Sequence, residues 1–324
     1  MSEVHPKGAC RHPEAVVFDV QRFSIHDGPG IRTTVFFKGC ALDCRWCQNP
    51  EGRARRPELS YHADRCLEAG PAQGRAGEPV ACGRCLPACP ENALLDRVLD
   101  RVRWDACTHC GACVEVCPSR ALVQVGERYT AERLLAEVLT DQPFYEASGG
   151  GVTLSGGEPV LHAKFLREFL PRARAAGLDL TLETSGQYPF GLLEPLLPEL
   201  DRVFFDVKAG GRERHLQLVG RDDALIFANL AALLGRPDRP EVEVRMPVIP
   251  GLNDGEDSIA QLAARLLALG VTRLTLLPYN HLWEAKLAHL DTHQVPLGVE
   301  PQPPEYYEHV AERFAAHGIA AHPS

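Results

Sequence analysis

The stretch "KGCALDCRWCQNPEG", residues 38–52, carries cysteines at positions 40, 44 and 47 and offers no fourth metal ligand beside them, because Gln48 follows the last cysteine directly. A closed structural site takes four ligands, whereas a site that keeps one position open binds a substrate or cofactor there. Three thiolates on a cubane iron–sulfur cluster leave one iron free. The C-x3-C-x2-C loop therefore has the pattern of a reactive centre. "TTVFF" (33–37), a β-branched and aromatic run of strand type, leads straight into it.

The rest of the chain sets the context for that centre. A sequence of 324 residues, 45% of them hydrophobic, can bury a large core and holds one big domain or two unequal ones. The net charge of −9 leaves no basic excess for a nucleic-acid backbone or an anionic membrane. No apolar run approaches the roughly 18 residues of a membrane span, and the first residues lack the basic start and apolar stretch of a secretory signal. The expectation is a cytoplasmic protein with no membrane or nucleic-acid partner. In a reducing compartment, twelve cysteines point to metal rather than to disulfides.

Eleven of the twelve fall into three groups, and only Cys10 stands apart as an ordinary thiol. Cys107, Cys110, Cys113 and Cys117, followed by Pro118, have the spacing of bacterial two-cluster ferredoxins. Cys82, Cys85 and Cys89 end the same way, but Cys66 is held off from Cys82 by the insertion "LEAGPAQGRAGEPVA". In such ferredoxins the fourth cysteine of each run serves the other cluster. The expected ligand sets are Cys66, Cys82, Cys85, Cys117 and Cys107, Cys110, Cys113, Cys89. Zinc is the alternative for any four-cysteine set, although the repeated C-x2-C-x3-C-P favours iron–sulfur. Residues 59–120 thus form an inserted two-cluster, ferredoxin-like domain, with residues 1–58 and 121–324 making up the main domain.

The first cysteine group, with Trp46 just before its last member, resembles the signature of the radical S-adenosylmethionine (SAM) superfamily, in which the open iron chelates the amino and carboxylate groups of SAM. With its flanks, "IHDGPGIRTTVFFKGCALDCRWCQNPE" resembles the signature of the activating enzymes of glycyl-radical enzymes, such as pyruvate formate-lyase activase. Further matches are "SGGEPVL" (155–161), "ETSG" (183–186), "FFDVKA" (204–209), "LVG" (218–220), "RMPVIPGLND" (245–254) and "LLPYN" (276–280). The resemblance implies an α/β fold, an open six-stranded (β/α)6 partial barrel. It also implies three 4Fe-4S clusters, SAM, and a monovalent cation near an acidic residue at position 183, where this chain has Glu and pyruvate formate-lyase activase has Asp. The implied partners are a glycyl-radical enzyme and a flavodoxin or ferredoxin electron donor, and the chain is expected to be a monomer. The implied reaction is reductive cleavage of SAM to a 5′-deoxyadenosyl radical, which takes hydrogen from a glycine of the partner. No general base is required.

Residue patterning agrees with that fold without appeal to any relative. "TTVFF", "GVTLS", "LDLTLE", "RVFFDV", "EVEVRMPVI" and "TRLTLLP" read as strands. They alternate with helical stretches such as "AKFLREFLPRARAAG", "GLLEPLLPEL" and "DSIAQLAARLLALG", and a last helix, "EYYEHVAERFAAHG", is expected to close the chain. Such βα units make a parallel sheet with helices outside. Functional groups then belong at the C-terminal ends of the strands. Those groups are Gly156, Gly157 and Glu158 after the second strand, Glu183 after the third, Asp206 and Lys208 after the fourth, Arg245 on the fifth and Asn280 after the sixth. For the two glycines a tight turn is the alternative, and for the charges a solvated rim. Asp206 and Lys208, two apart on a strand, project to the same face and supply both signs that a zwitterion needs. Family members often have His where this chain has Asn280, so His281 is the rival there, and Trp283 replaces the usual glycine of the next loop. His26, Asp27, Gly28, Gly30 and Arg32 are placed for peptide docking. A radical SAM enzyme acting on a small molecule, or an iron–sulfur electron carrier, would share part of these features.

Overall fold

The β-branched runs of the sequence become the strands of one open sheet in a computed structural model that describes residues 12–73 and 75–324, so Cys10 lies outside the described residues. In chain order the strands are β1 (Glu14–Ser24), β2 (Arg32–Phe37), β3 (Glu58–Tyr61), β4 (Leu122–Val125), β5 (Glu127–Thr130), β6 (Gly151–Gly156), β7 (Asp179–Thr184), β8 (Arg202–Asp206), β9 (Glu241–Val248), β10 (Arg273–Pro278) and β11 (Ala320–Pro323). The main sheet runs β11-β10-β9-β8-β7-β6-β2-β1-β5. From β2 to β11 every neighbouring pair is parallel, while β1 pairs antiparallel with both β2 and β5. This is a barrel-like parallel sheet left open at its edges.

Two sequence expectations need correction. The helix Pro304–Ala316 does not close the chain, since β11 follows it and pairs with β10. "GLLEPLLPEL" is not an α-helix. Pro195 and Pro198 remove backbone donors and crowd the preceding turn, and the segment settles into short 3-10 turns at Phe190–Leu192 and Glu194–Glu199.

Alternation along the strands separates two layers. Val35, Phe37, Leu154, Leu182, Phe205 and Met246 point outward and are buried in the main core, which also takes in Phe165, Phe169, Ile259 and Phe314 from the surrounding helices. Burying a side chain of that size contributes roughly 1.5–3 kcal/mol, so the outward face holds the sheet and helices together. The opposite face is polar, and this polar interior becomes the site.

The interior is closed below by the loop before β2. Arg32 is fully buried, and its guanidinium donates to Thr153 Oγ1 (2.7 Å), the Val152 carbonyl (2.9 Å), Asp179 Oδ1 (2.8 Å) and Thr181 Oγ1 (3.0 Å). Asp27 accepts from Thr34 Oγ1 at 2.7 Å, and its carbonyl accepts from Thr153 Oγ1 at 2.7 Å. The arginine of the "HDGPGIR" segment thus holds the strand starts together.

Between β3 and β4, which pair antiparallel from Glu58↔Val125 to Tyr61↔Leu122, lie the eight later cysteines. This region has its own small core of Leu59, Tyr61, Leu94, Val102, Ala121 and Leu122. It is fastened to the rest of the chain by the Lys38–Glu58 ion pair at 2.9 Å, by the Tyr61 N–H donating to the His289 carbonyl at 2.9 Å, and by the stacked His62 and His289 rings.

Candidate functional site

The cysteine loop leaves the end of β2 and is tied down by backbone hydrogen bonds on both sides. Gly39 N–H donates to the Gly52 carbonyl (2.7 Å) and Cys40 N–H to Arg53 (3.1 Å), while Asp43 and Arg45 N–H donate to Val219 and Leu218 (2.9 and 3.0 Å). Behind the loop runs the "SGGEP" turn, whose Gly157 N–H donates to the Phe37 carbonyl at 2.8 Å and whose Glu158 N–H donates to Gly39 at 2.7 Å. That approach leaves no room for side chains. A Cβ on Gly156, whose φ is +106°, would lie 2.4 Å from the Phe37 nitrogen, and one on Gly157 would lie 2.5 Å from the Gly39 oxygen. Only glycine fits both positions.

Cys40, Cys44 and Cys47 open together on a cavity of about 360 Å³ at the C-terminal ends of the strands. Its walls also include Trp46, Gly156, Gly157, Glu183, Asp206, Lys208 and Asn280, as placed from the sequence. Burial pushes the Cys40 thiol up to about 12 and raises Cys44 and Cys47 as well. Left alone these groups stay protonated, so they become thiolates only by exchanging the proton for a metal. The triad, with an open cavity beside it and no fourth cysteine in its walls among the described residues, fits a cluster with one exposed iron.

Opposite the thiols the strand ends form a continuous charged network. Lys208 Nζ donates to Asp206 Oδ2 at 2.8 Å, and Arg245 Nε donates to Asp206 Oδ1 at 3.3 Å. Arg245 also binds Glu183, which accepts from Ser155 Oγ. Burial alone would raise the Asp206 pKa, but Lys208 and Arg245 outweigh it and hold the carboxyl below its usual range. Burial would likewise lower Lys208, and Asp206 more than offsets this, so the ammonium keeps its proton.

Two expected cofactor contacts fall behind the cavity wall. Arg245 supports Glu183 and Asp206 from beneath and stacks on Phe204, with its guanidinium carbon 4.2 Å from the ring centroid. Its charge also meets Glu183 where a monovalent cation was expected. Glu158 is fully buried and accepts from Thr184 Oγ1 (2.9 Å), Ser185 N–H (3.0 Å) and Ser185 Oγ (2.8 Å). Burial lifts its pKa to about 7 against those bonds. Its carboxylate thus fixes "ETSG" rather than facing a ligand.

Asn280 lines the cavity, and its carbonyl accepts from Gln48 Nε2 at 3.1 Å, whereas His281 is not in the wall and lies 3.9 Å from Glu300. Trp283 is buried and supports the loop from inside. Sequence reasoning missed Ser155, Thr184, Ser185 and Tyr279 in the walls. All four stand inside quoted motifs, beside the residues chosen from them.

Two smaller cavities occupy the cysteine-rich insert. One is walled by Cys66, Cys82, Cys85 and Cys117, the other by Cys89, Cys107, Cys110 and Cys113. The insertion after Cys66 does not carry that residue away. Val80 N–H donates to the Leu67 carbonyl at 2.7 Å, and Glu68 Oε1 accepts from the Cys82 and Gly83 N–H groups at 3.1 and 2.9 Å. Sulfur acceptors are supplied with backbone donors as well, Ala93 N–H to Cys89 Sγ at 3.2 Å and Leu122 N–H to Cys117 Sγ at 3.5 Å. Among the described residues, no His, Cys, Asp and Glu group is drawn close enough to hold a single metal ion. Two cavities, each walled by four cysteines and provided with N–H donors, fit cubane clusters.

Comparison with known proteins gives a radical SAM superfamily match over residues 104–263, a 4Fe-4S dicluster domain over 79–122 and a 4Fe-4S single cluster domain over 26–70. The chain is 40% identical to the isethionate sulfite-lyase activating enzyme of Oleidesulfovibrio alaskensis, over 87% of this chain and 89% of that one. It is 41% identical to the (2S)-3-sulfopropanediol sulfolyase activating enzyme of Bilophila wadsworthia, over 86% and 90%. It is 36% identical to the benzylsuccinate synthase activating enzyme of Thauera aromatica, over 94% and 91%.

Proposed function

The chain belongs to the activating enzymes of glycyl-radical enzymes, within the radical SAM superfamily, and from that premise we propose how its residues divide the work. When bound at Cys40, Cys44 and Cys47, the cluster supplies the electron that cleaves the sulfonium of SAM to methionine and the 5′-deoxyadenosyl radical, which takes hydrogen from a glycine of the partner enzyme. The observation that carries the assignment is one cavity shared by that cysteine triad and the Asp206–Lys208 pair. Asp206 accepts from the amino group of the SAM methionine and Lys208 donates to its carboxylate, by charge-assisted hydrogen bonds. Glu183 and Asn280 complete the polar wall, and Trp46 and the Gly156–Gly157 backbone bound it.

Arg245 and Glu158 act as positioning residues, the first beneath the strand-end charges and the second behind the "ETSG" turn. A monovalent cation at Glu183 would have to displace the Arg245 guanidinium. The insert of residues 59–120 carries two further clusters on the Cys66–Cys82–Cys85–Cys117 and Cys89–Cys107–Cys110–Cys113 sets. It serves as an electron path from a flavodoxin or ferredoxin to a cytoplasmic, monomeric enzyme.

The test is electron paramagnetic resonance of the protein mixed anaerobically with SAM, a reductant and a candidate glycyl-radical enzyme. A persistent doublet that collapses when the partner's glycine Cα is deuterated supports the proposal. SAM-dependent turnover of a small metabolite without a protein radical overturns it.

A further inference from the structure

Arg101 stands in the wall of the cavity formed by Cys66, Cys82, Cys85 and Cys117 and is 1% exposed. One edge of its guanidinium binds Glu68, and the same Nη2 lies 3.9 Å from Cys66 Sγ. Among the described residues, Nε and Nη1 have no hydrogen-bond partner. A buried guanidinium with two nitrogens unpaired is costly, so such an arrangement persists where an acceptor completes it. In a cavity walled by four cysteines, the acceptors at hand are cluster sulfurs.

The second cysteine cavity differs in charge. Its remaining walls include Leu59, Glu91, His109 and Gly111, with no lysine or arginine among the described residues. Reducing a cluster adds one negative charge, and a fixed cation in contact with the sulfurs favours that reduced state. Glu68 offsets this only in part, because its Oε1 is shared with the Cys82 and Gly83 N–H groups and the unpaired guanidinium nitrogens remain.

We propose that Arg101 raises the reduction potential of the Cys66–Cys82–Cys85–Cys117 cluster alone, and so makes the two centres of the insert electrochemically inequivalent. This rests on the two-cluster assignment above. It gives that centre the task of holding the electron that arrives first, with Arg101 as a positioning charge and not a ligand.

The experiment is an anaerobic redox titration of the full-length, reconstituted protein followed by electron paramagnetic resonance, for the wild type and for Arg101→Met, Arg101→Lys and Glu68→Gln. Arg101→Met should lower the reduction equilibrium constant of one insert cluster at least tenfold, about 59 mV for one electron. The other insert cluster and the Cys40–Cys44–Cys47 cluster should not move. Arg101→Lys, which keeps the charge, should recover most of the shift, and Glu68→Gln should move the same cluster in the opposite direction. With about twelve irons retained, an unmoved signal or an equal shift of both insert clusters overturns the inference while leaving the function intact. A wild-type protein that binds only about four irons overturns the two-cluster assignment and the inference with it. Where Arg101→Met loses its cluster, the absence of an upward shift in Glu68→Gln decides against the inference.

Discussion

Replacing Glu158 by Gln should remove a pH dependence of stability that the wild-type protein carries. Burial lifts the carboxyl from an ordinary 4.5 to about 7. The folded state therefore keeps this proton over a range where the unfolded chain has lost it. Stability from this group is full below about pH 4.5 and is lost as pH rises through about 7. At about 1.36 kcal/mol per unit the whole change is about 3 kcal/mol, and about 2 kcal/mol of it falls between pH 5.5 and 8.5. Gln is nearly isosteric and uncharged. Its amide oxygen can still accept from Ser185, and its NH2 can donate to Thr184 Oγ1, whose own proton turns to Tyr188 OH, already 2.9 Å away. Urea unfolding of the reconstituted protein at both pH values, under anaerobic conditions, measures the difference between variant and wild type. That difference should move by about 2 kcal/mol in favour of Glu158→Gln from pH 5.5 to 8.5. Parallel profiles would refute the reasoning, because Glu158 would then carry no buried charge at high pH.

Asp206→Asn and Lys208→Ala each remove one charge-assisted hydrogen bond worth roughly 1.5–3 kcal/mol, so equilibrium dialysis should find SAM bound roughly ten- to a hundredfold more weakly with iron content unchanged; unaltered binding in both returns the pair to a solvated rim. Changing Cys40, Cys44 and Cys47 together to Ala should remove about four of about twelve irons and all SAM cleavage, and residual cleavage would move the reactive cluster elsewhere. Arg32→Met should destabilise the fold by about 1–3 kcal/mol in chemical denaturation, since it leaves the buried Thr153 hydroxyl without its guanidinium donor while Asp179 and Thr181 keep Arg202; a loss below about 0.5 kcal/mol would mean the guanidinium is not the tie across the strand starts.

The sequence discloses the strands that carry strong β-branched runs, and β2 and β6 to β10 lie where those runs stand. It also places the strand-end charges, because "LET" and "DVK" put Glu183, Asp206 and Lys208 at the ends of obvious strands. β1 escaped notice because its pairing with β2 shifts register between Val17 and Asp19 and again between Gln21 and Ser24, which breaks the alternation. β11 is four residues of low strand propensity, "AAHP", and exists because β10 offers it an unpaired edge. Glu158 looked like a ligand group since Gly-Gly-Glu at a strand end can face either way. Only the partners of its carboxylate, Thr184 and Ser185, show which way it turns. Cys66 was obscured by the insertion after it, and the hydrogen bonds of Glu68 close that gap in a manner no spacing rule contains.

The two walls of the main cavity are built on different supports, and this bears on how the site works. Glu183, Asp206 and Arg245 stand on neighbouring parallel strands whose outward faces are fully buried, so their network is preformed. Lys208, just beyond β8, is held to it through Asp206. Positive and negative members are equal in number, so in the proposed role the network can exchange its internal Asp206–Lys208 contact for the amino and carboxylate groups of SAM while carrying no net charge of its own. The cysteine wall is a loop, and its rigidity comes from backbone bonds to Gly52, Arg53, Leu218 and Val219 and from the close approach of Gly157. Side chains on strands are held more precisely than side chains on loops. On the assignment proposed above, the strand wall sets where SAM lies and the loop wall brings the open iron to it. Glu158 lies fully buried outside the cavity lining, between the two walls. It fastens Thr184 and Ser185 of the strand wall with its carboxylate and Gly39 of the loop wall with its N–H, and so couples the two walls at a single residue.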